Sequence, residues 1–512
     1  MPGLSLCMIV RDEAELLPEF LRRARGLWDE LRVVDTGSRD ASPRLLAEAG
    51  ATVLHAPWSG DFAEARNRSL EGATGEWIAV LDADEMVSEA FVRDARGLVG
   101  DPSAGAATLR MLNRMPHGHV REARLLRLFR NDPSIRFRHA IHEDASEAVS
   151  AHLAATGRRL VHLEGPVDHL GYVRARAAAK DKKARDVALL ERCLAADPRD
   201  LYAHLKLLEQ ARFWGDQELW GRAAARARDA VDAAGAGLAA VPHGGELLVL
   251  VVDGLGLAPA AALAWLDARE ARAAPSAALR LRRGELLERL GRLPEAAAAF
   301  EGARALDAVT ANLQLATVRP LLGLARLAIA RGQLDEARGR VDEALGLAPR
   351  DPEALLAAVT LAGAAGGGAG MRALAAAHAA RHGESEELAA AVGEGALRLG
   401  DRALAIEVLS RGAPTRLLAV ARLADGDLEG ARAAAGAAAG DDPAAALAAV
   451  LADLAGGRDA ALELELSVEE AAAALRGMAA LLRAAARPGV REALRAAAPA
   501  LAGPFPWLPG AL

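Results

Sequence analysis

The stretch Trp77–Ser88, WIAVLDADEMVS, decides the fold class because it runs an apolar segment directly into three carboxylates. The apolar part has the length of one buried strand, and Asp82, Asp84 and Glu85 come where that strand should end. A strand places residues two apart on the same side, so Asp82 and Asp84 can meet one hard divalent cation. Because a solvated turn shows the same pattern, the surrounding sequence has to decide between the two interpretations.

The residues around this stretch alternate between strand-like and helix-like segments joined by short Gly, Asp and Ser turns. Strands are predicted at 4–10, 31–38, 51–57 and 77–85, and helices at 13–28, 42–50 and 61–73. Such βαβ units form a mostly parallel sheet with helices on both faces, and ligands bind at the carboxyl ends of its strands. The end of the second strand adds Asp35 to the predicted site.

The composition of the whole chain limits the classes of function. The 512 residues suggest two or more domains, and a formal net charge of −7 gives no general positive field that would attract nucleic acid. Two cysteines, Cys7 and Cys193, provide no disulfide framework and fit a reducing cytosol. The apolar run near the N-terminus is too short for a signal peptide or a membrane span. These features predict a cytoplasmic protein with no nucleic-acid partner and no transmembrane segment.

The character of the sequence changes near residue 170. Eight of the twelve histidines precede that point, together with most of the strand-like Val and Ile runs, and Ala-, Leu- and Arg-rich helical patterns follow it. We therefore predict an α/β domain at 1–173, a helical joint at 174–198, helical repeats at 199–500 and a C-terminal cover at 501–512.

Inter-helix glycines give the repeats a period. Gly332, Gly366 and Gly400 follow one another at intervals of 34 residues, and small residues such as Ala337 let paired helices approach closely. The copy near Gly426 fits poorly because it comes too soon after Gly400. A stack of such helix pairs offers a concave surface suited to a peptide or to a second copy of the chain, so a homo-oligomer formed through the repeats is possible.

Five motifs occur in order within roughly residues 3–172: LSLCMIVRDEAELLPEFL, VVDTGSRDAS, DFAEARNRSLEGATGEWIAVLDADE, RLFRNDPSIRFRHAIHE and DHLGY. In this order they resemble the family 2 glycosyltransferases of the GT-A fold. The resemblance is to the bacterial branch that carries tetratricopeptide repeats after the catalytic domain, which includes peptide S-glycosyltransferases of the sublancin type. It implies an α/β GT-A domain followed by an all-α, tetratricopeptide-like solenoid.

The resemblance also implies an inverting transfer from a nucleoside-diphosphate sugar, usually a UDP-sugar, with Mn²⁺ or Mg²⁺ as cofactor. On this basis Asp35 would bind the base and Asp82 would lie near the ribose. The metal would be held by Asp84 and by His169 of DHLGY, and Arg66 and Asn67 would lie near the nucleotide. A solvated helix face is the alternative interpretation of Arg66 and Asn67, and a structural histidine that of His169.

An inverting transfer needs a base that takes the proton of the acceptor. The resemblance places an acidic acceptor-side motif about where AIHED, 140–144, occurs, so Glu143 is the candidate base and His142 a candidate substrate-binding residue. The adjacent Asp144 leaves the assignment open, and a local cap or salt bridge is the alternative role for Glu143. The RLLRLFR pattern of 124–130 predicts a half-exposed strand whose arginines are mostly solvated, with some that could face a diphosphate.

Neither the sugar nor the acceptor is specified by motifs this short. The acceptor could be a peptide, a protein or another glycan, and the alternative is a lipid, lipopolysaccharide or cell-envelope glycan intermediate. A second alternative is a repeat scaffold whose transferase domain has lost its activity, against which the intact Asp82 and Asp84 pair argues.

Overall fold

The computed structural model describes residues 3–114, 120–241, 243–306, 313–413, 415–439, 442–458, 468–501, 505 and 507–511. The chain divides into two compact units, Met1–Pro320 and Leu321–Leu512. The boundaries expected at residues 173, 198 and 500 stay predictions. Part of the expected C-terminal cover, namely 502–504, 506 and 512, lies outside the described residues.

The first unit begins with a mixed sheet of eight strands, counted within the described ranges. The strands are β1 Leu4–Val10, β2 Glu30–Asp35, β3 Thr52–His55, β4 Trp77–Val80, β5 Glu85–Val87, β6 Ala104–Arg114, β7 Val120–Arg130 and β8 Arg159–His169. Their spatial order is β3-β2-β1-β4-β7-β6-β8-β5. The first four are parallel, as predicted from the βαβ alternation, whereas β7 runs antiparallel to β4 and β6, and β5 antiparallel to β8.

The helices of this α/β part connect or flank the strands. They are α1 Leu17–Arg23, α2 Ser42–Glu48, α3 Phe62–Leu70, α4 Glu89–Val99 and α5 Ser146–Thr156. The first strand matches its predicted bounds, but α1 is much shorter than the helix predicted at 13–28. It begins at Leu17 because Pro18 is compatible only with the first turn of a helix, and the chain turns at Gly26, where φ is +81°. The predicted α/β class of this part of the chain is confirmed.

The acidic stretch that follows β4 differs from the prediction. The strand ends at Val80, and Ala83 and Asp84 form a turn before Glu85 opens β5. The bond from the Glu85 amide to the Asp82 carbonyl, 3.0 Å, closes this turn. Asp82 and Asp84 are therefore placed by a turn, and the strand predicted to reach residue 85 is wrong in that respect.

The remaining helices of the first unit follow directly in the chain. They are α6 Gly171–Ala196, α7 Leu201–Phe213, α8 Gln217–Ala234, α9 Gly244–Gly254, α10 Pro259–Glu270, α11 Ala277–Arg289 and α12 Leu293–Arg304. Most of the segment predicted as a joint, 174–198, lies in α6, and its role as a joint stays a prediction. Gly215 and Gly291, with φ of +63° and +73°, turn the chain between paired helices.

The second unit continues with helices of the same kind. They are α13 Val318–Ala330, which begins just before the unit boundary, α14 Leu334–Leu347, α15 Pro352–His382, α16 Glu386–Arg398, α17 Arg402–Leu409, α18 Arg416–Asp425, α19 Leu428–Ala438, α20 Ala446–Ala455, α21 Val468–Ala485, α22 Pro488–Ala497 and α23 Leu508–Ala511. Gly332 and Gly400 turn the chain between helices as predicted. Gly426 does the same, with φ of +91°, so the copy that seemed too early is a hairpin of shorter helices.

The longest helix, α15, is long and apolar enough to cross a membrane by length and composition alone, and it is the one such helix among the described residues. Gly367, with φ of +57° and ψ of −146°, interrupts its helical backbone one residue after the predicted turn at Gly366. Leu355 and Val359 before the break and Met371 after it are buried in the protein. Core helices of water-soluble proteins have the same composition, so the prediction that the chain lacks a transmembrane segment stays a prediction.

Close helix packing in the first unit depends on Gly284 of α11. A Cβ atom at this position would lie 2.5 Å from the ring of the buried Phe300 of α12. We expect Gly284→Ala to lower the free energy of unfolding by roughly 1–3 kcal/mol, because the ring can move only by disturbing a close-packed core. Urea unfolding followed by circular dichroism measures this change.

The matched control is Gly221→Ala in α8, where a Cβ atom would meet nothing closer than the Gly254 carbonyl at 4.0 Å. This change should leave stability unaltered or raise it by up to about 1 kcal/mol, because alanine is the better helix former. Equal effects of the two substitutions would contradict the proposed close contact between α11 and α12.

Candidate active site

The predicted base-binding residue, Asp35, ends β2, which lies two positions from β4 in the sheet. Its carboxylate accepts a hydrogen bond of 3.0 Å from the Ser38 amide and lies 3.1 Å from Nδ1 of His55, its cross-strand partner. Burial raises the pKa of Asp35, but the bonds from Ser38 and His55 outweigh this effect and lower it. A shallow pocket beside it is lined by Thr36, Ala56, Pro57, Trp58, Ser59, Glu64, Ala65 and Arg68.

The centre of the site is Arg66 of α3, whose side chain is only 2% exposed. Its Nη2 atom donates hydrogen bonds of 2.9 Å both to Oδ1 of Asp82 and to Oε1 of Glu143, and Nε lies 3.2 Å from the latter. Burial lowers the pKa of Arg66, but these two carboxylates outweigh it and raise the pKa. The guanidinium therefore joins the predicted donor-side acid to the predicted base.

Arg127 of β7 supplies a second, partly buried cation that the sequence did not single out. Its Nη2 atom donates a bond of 2.7 Å to Oε1 of Glu85 and lies 3.8 Å from Oδ2 of Asp82. Loss of solvent raises the pKa of Asp82, but the charges of Arg66 and Arg127 outweigh this and lower it. Burial dominates at Glu85 and raises its pKa. The sequence signal for Arg127 is the alternation of RLLRLFR, a pattern that predicts mostly solvated arginines.

Asp84 and His169 meet on the other side of the acidic turn. Strand pairing explains their proximity, because His169 is the cross-strand partner of Glu85, the residue after Asp84. Nε2 of His169 lies 3.3 Å from Oδ2 of Asp84, and Nδ1 lies 2.8 Å from Oδ1 of Asn113, its partner on β6. Burial lowers the pKa of His169, but the bond to Asp84 and the neighbouring negative charges outweigh it and raise the pKa.

The two predicted metal ligands fit a divalent cation of the Mn²⁺ or Mg²⁺ type. A carboxylate oxygen and an imidazole nitrogen are suitable donors, and Asn113 fixes the ring by accepting a hydrogen bond from Nδ1–H. Within the described ranges no group of three or more His, Cys, Asp or Glu side chains converges on one point. Asp84 and His169 would therefore need oxygens from a bound ligand or water to complete the coordination.

The two candidate bases have different surroundings. The side chain of Glu143 is 14% exposed and contacts Arg66, whereas Oδ1 of Asp144 accepts a bond of 2.7 Å from the hydroxyl of Ser146 at the start of α5. The backbone of Asp144 also pairs with Arg138 in an isolated bridge. Glu143 thus belongs to the acidic site, while Asp144 supports the local structure beside it.

The segment 137–144, which we call the base loop, is attached to α3. Both ends of the Asn67 amide bond the backbone of Phe137, at 2.9 and 2.8 Å. The amide of Phe62 donates 2.8 Å to the carbonyl of Ala140. In the structure, Asn67 therefore holds the backbone of the base loop. Its predicted position beside the nucleotide stays a prediction.

His142, predicted to bind substrate, has its ring turned toward α7. Its Nε2 lies 3.1 Å from Nε2 of Gln210, and its carbonyl accepts 2.7 Å from the hydroxyl of Tyr202. Burial and the charge of Lys206 lower the pKa of His142. Neither contact was visible in the sequence, because no motif connects residues some sixty positions apart on different elements.

The site thus brings together Arg66, Asp82, Asp84, Glu143 and His169. Residues 5–157 match the family model described as "Glycosyl transferase family 2". A TPR repeat-containing protein of Synechococcus elongatus is 43% identical over 210 residues, which cover 40% of this chain and 52% of that protein.

The SPbeta prophage-derived glycosyltransferase SunS of Bacillus subtilis is 24% identical over 207 residues, 39% of this chain and 47% of the relative. The chain therefore spans about half the length of the curated relatives it matches. Glucosyl-3-phosphoglycerate synthase of Mycobacterium tuberculosis, solved with Mn²⁺ and UDP, is 17% identical over 38% of this chain and 80% of that one, with a TM-score of 0.27. Residues 5–157 of this chain are therefore similar to family 2 glycosyltransferases, and paired helices follow them in the chain.

Proposed function

We propose that this protein is an inverting, metal-dependent glycosyltransferase that moves a sugar from a nucleoside-diphosphate sugar, a UDP-sugar first of all, to an acceptor hydroxyl or thiol. The observation that carries the proposal is the double contact of Arg66 with Asp82 and Glu143. This contact holds Asp82, the proposed donor-side acid, and Glu143, the candidate base, on one buried cation. A direct displacement needs one group that binds the donor and a separate base for the acceptor, and these two carboxylates would fill the two roles.

On the donor side, Asp35 would accept a hydrogen bond from the base, and Asp82 would lie near the ribose. Asp84 and His169 would hold the divalent cation, which when bound offsets the negative charge of the diphosphate leaving group. Arg127 adds a fixed positive charge beside Asp82. These residues orient the donor and would keep its anomeric carbon open to attack from the opposite side.

On the acceptor side, Glu143 would take the proton of the attacking group as the new bond forms. Its hydrogen bonds to Arg66 fix the carboxylate in one orientation. Asp144 is the weaker candidate because Ser146 already engages its carboxylate. We assign the base role to Glu143 on this ground.

For the acceptor we favour a peptide or protein in the cytoplasm, because helical hairpins of the tetratricopeptide type commonly bind extended peptides. A cell-envelope glycan or lipid-linked intermediate is the alternative. The donor is identified by the rise in Tm that each of UDP-glucose, UDP-galactose, UDP-N-acetylglucosamine and GDP-mannose produces. The acceptor class is then identified by the release of UDP or GDP with water or with Ser- and Cys-containing peptides.

The metal assignment predicts that Asp84→Asn removes the Mn²⁺-dependent part of the rise in Tm that UDP produces. Turnover should fall by at least about 10²-fold, because a cation contributes several kcal/mol to stabilising the leaving group. The fold should persist, since the carboxylate of Asp84 is partly exposed.

Asp229→Asn, on the exposed surface of α8, is the matched control and should behave as wild type. Full UDP stabilisation of Asp84→Asn in Mn²⁺, or full activity of the wild type in excess chelator, would contradict the metal assignment.

The base assignment predicts that Glu143→Gln keeps donor affinity and slows single-turnover transfer to a hydroxyl acceptor by about 10²-fold or more. A thiol acceptor should lose less, because a cysteine is already partly ionised near neutral pH. Calorimetric UDP titration and rapid-quench kinetics measure the two quantities. Asp144→Asn is the neighbouring control, and a loss confined to that variant would move the role by one residue.

A further inference from the structure

We infer that helix α7 of the helical region completes the catalytic site by positioning the base loop, with Tyr202 and Gln210 as the positioning residues. The inference rests on the proposed role of Glu143. It concerns a different question, namely why this carboxylate is held where it is. All contacts involved lie inside the first compact unit.

The base loop contains backbone conformations that side-chain-bearing residues seldom adopt. His139 and His142 have φ of +71° and +55°, in the left-handed region, which is uncommon for residues other than glycine. Such conformations persist only where the surrounding structure enforces them. His142 immediately precedes Glu143, so any relaxation at His142 would move the candidate base.

Helix α7 contacts both of these residues. The ring of Tyr202 stacks on the ring of His139 with centroids 3.8 Å apart and an interplanar angle of 21°. The hydroxyl of the same tyrosine donates 2.7 Å to the carbonyl of His142. A single buried side chain of the helical region therefore holds both left-handed positions of the loop.

Gln210 fixes the ring of His142, and its own orientation follows from Trp214. An indole N–H can only donate, so Oε1 of Gln210 must be the atom that accepts its bond of 2.9 Å. The amide nitrogen Nε2 then faces Nε2 of His142 at 3.1 Å and donates to it. This requires a neutral His142 with its proton on Nδ1, in agreement with the lowered pKa that burial produces.

On its other side the loop is held by α3 through the bonds of Asn67 to Phe137 and of Phe62 to Ala140. The base loop is thus attached to α3 through Phe137 and Ala140 and to α7 through His139 and His142. Removal of the α7 contacts should leave the fold, the donor half and the bonds of Arg66 to Glu143 intact, while the backbone that carries Glu143 loses one of its two supports.

The test uses full-length Gln210→Ala and Tyr202→Phe, with Gln217→Ala as the matched control on the exposed first turn of α8. We expect single-turnover release of UDP from the best donor of the panel to fall about 10-fold or more in the first two variants, since misplacement of a catalytic group by about 1 Å can cost as much as ~10²-fold. UDP affinity should stay at the wild-type value. The control, Gln217→Ala, should match the wild type in both the rate of UDP release and the affinity for UDP.

Two further measurements separate positioning from a general structural role. In the Glu143→Gln background, Gln210→Ala should cause little additional loss, because both substitutions act through the same carboxylate. Hydrogen–deuterium exchange of the amides of 138–144 should accelerate in Gln210→Ala and Tyr202→Phe and not in Gln217→Ala, whatever the acceptor is.

The possible failures are distinguishable. If Glu143→Gln transfers as fast as wild type, the proposed base is wrong. If Glu143→Gln is slow but Gln210→Ala is as fast as wild type, or its loss adds fully to that of Glu143→Gln, the positioning role of α7 is overturned. Unchanged exchange in the base loop would overturn it independently of activity.

Discussion

The rest of the site depends on the burial of one guanidinium, that of Arg66. A buried charge has lost its water and is tolerated only where opposite charges and hydrogen bonds replace it. Asp82 and Glu143 do this from two segments far apart in the chain, the turn after β4 and the base loop. Their positions are therefore coupled: neither segment can move away without leaving a buried cation short of a partner.

This constraint explains how the elements are used. Helix α3 places Arg66 between the two acids, and the neighbouring Asn67 bonds the start of the base loop. On the opposite side of the turn, pairing of β5 with β8 brings His169 to Asp84. The acidic turn thus directs one carboxylate toward each half of the site. Asp82 is fixed by Arg66, and Asp84 lies beside His169, whose imidazole is a suitable metal ligand.

The sequence was sufficient to predict the features that depend on residues close together in the chain. The first strand, the parallel βαβ order, Asp35 at a strand end and the glycine turns at Gly332 and Gly400 all follow from periodicity and turn chemistry. Contacts between distant segments were not predictable. Arg127 meets Glu85 only because β7 pairs with β4, the strand that leads into the acidic turn. Gln210 reaches His142 only because α7 lies against the base loop. Composition and spacing carry no information about either pair.

The coupling energy between Arg66 and Glu143 tests the central claim most directly. A double-mutant cycle with Arg66→Met and Glu143→Gln, measured by urea unfolding of the full chain, isolates the pair from its other contacts. The account predicts that the free energies of unfolding are not additive and that the favourable coupling exceeds about 1 kcal/mol, as for contacting charged groups. Additivity within about 0.3–0.5 kcal/mol would show that Arg66 does not link the two halves of the site.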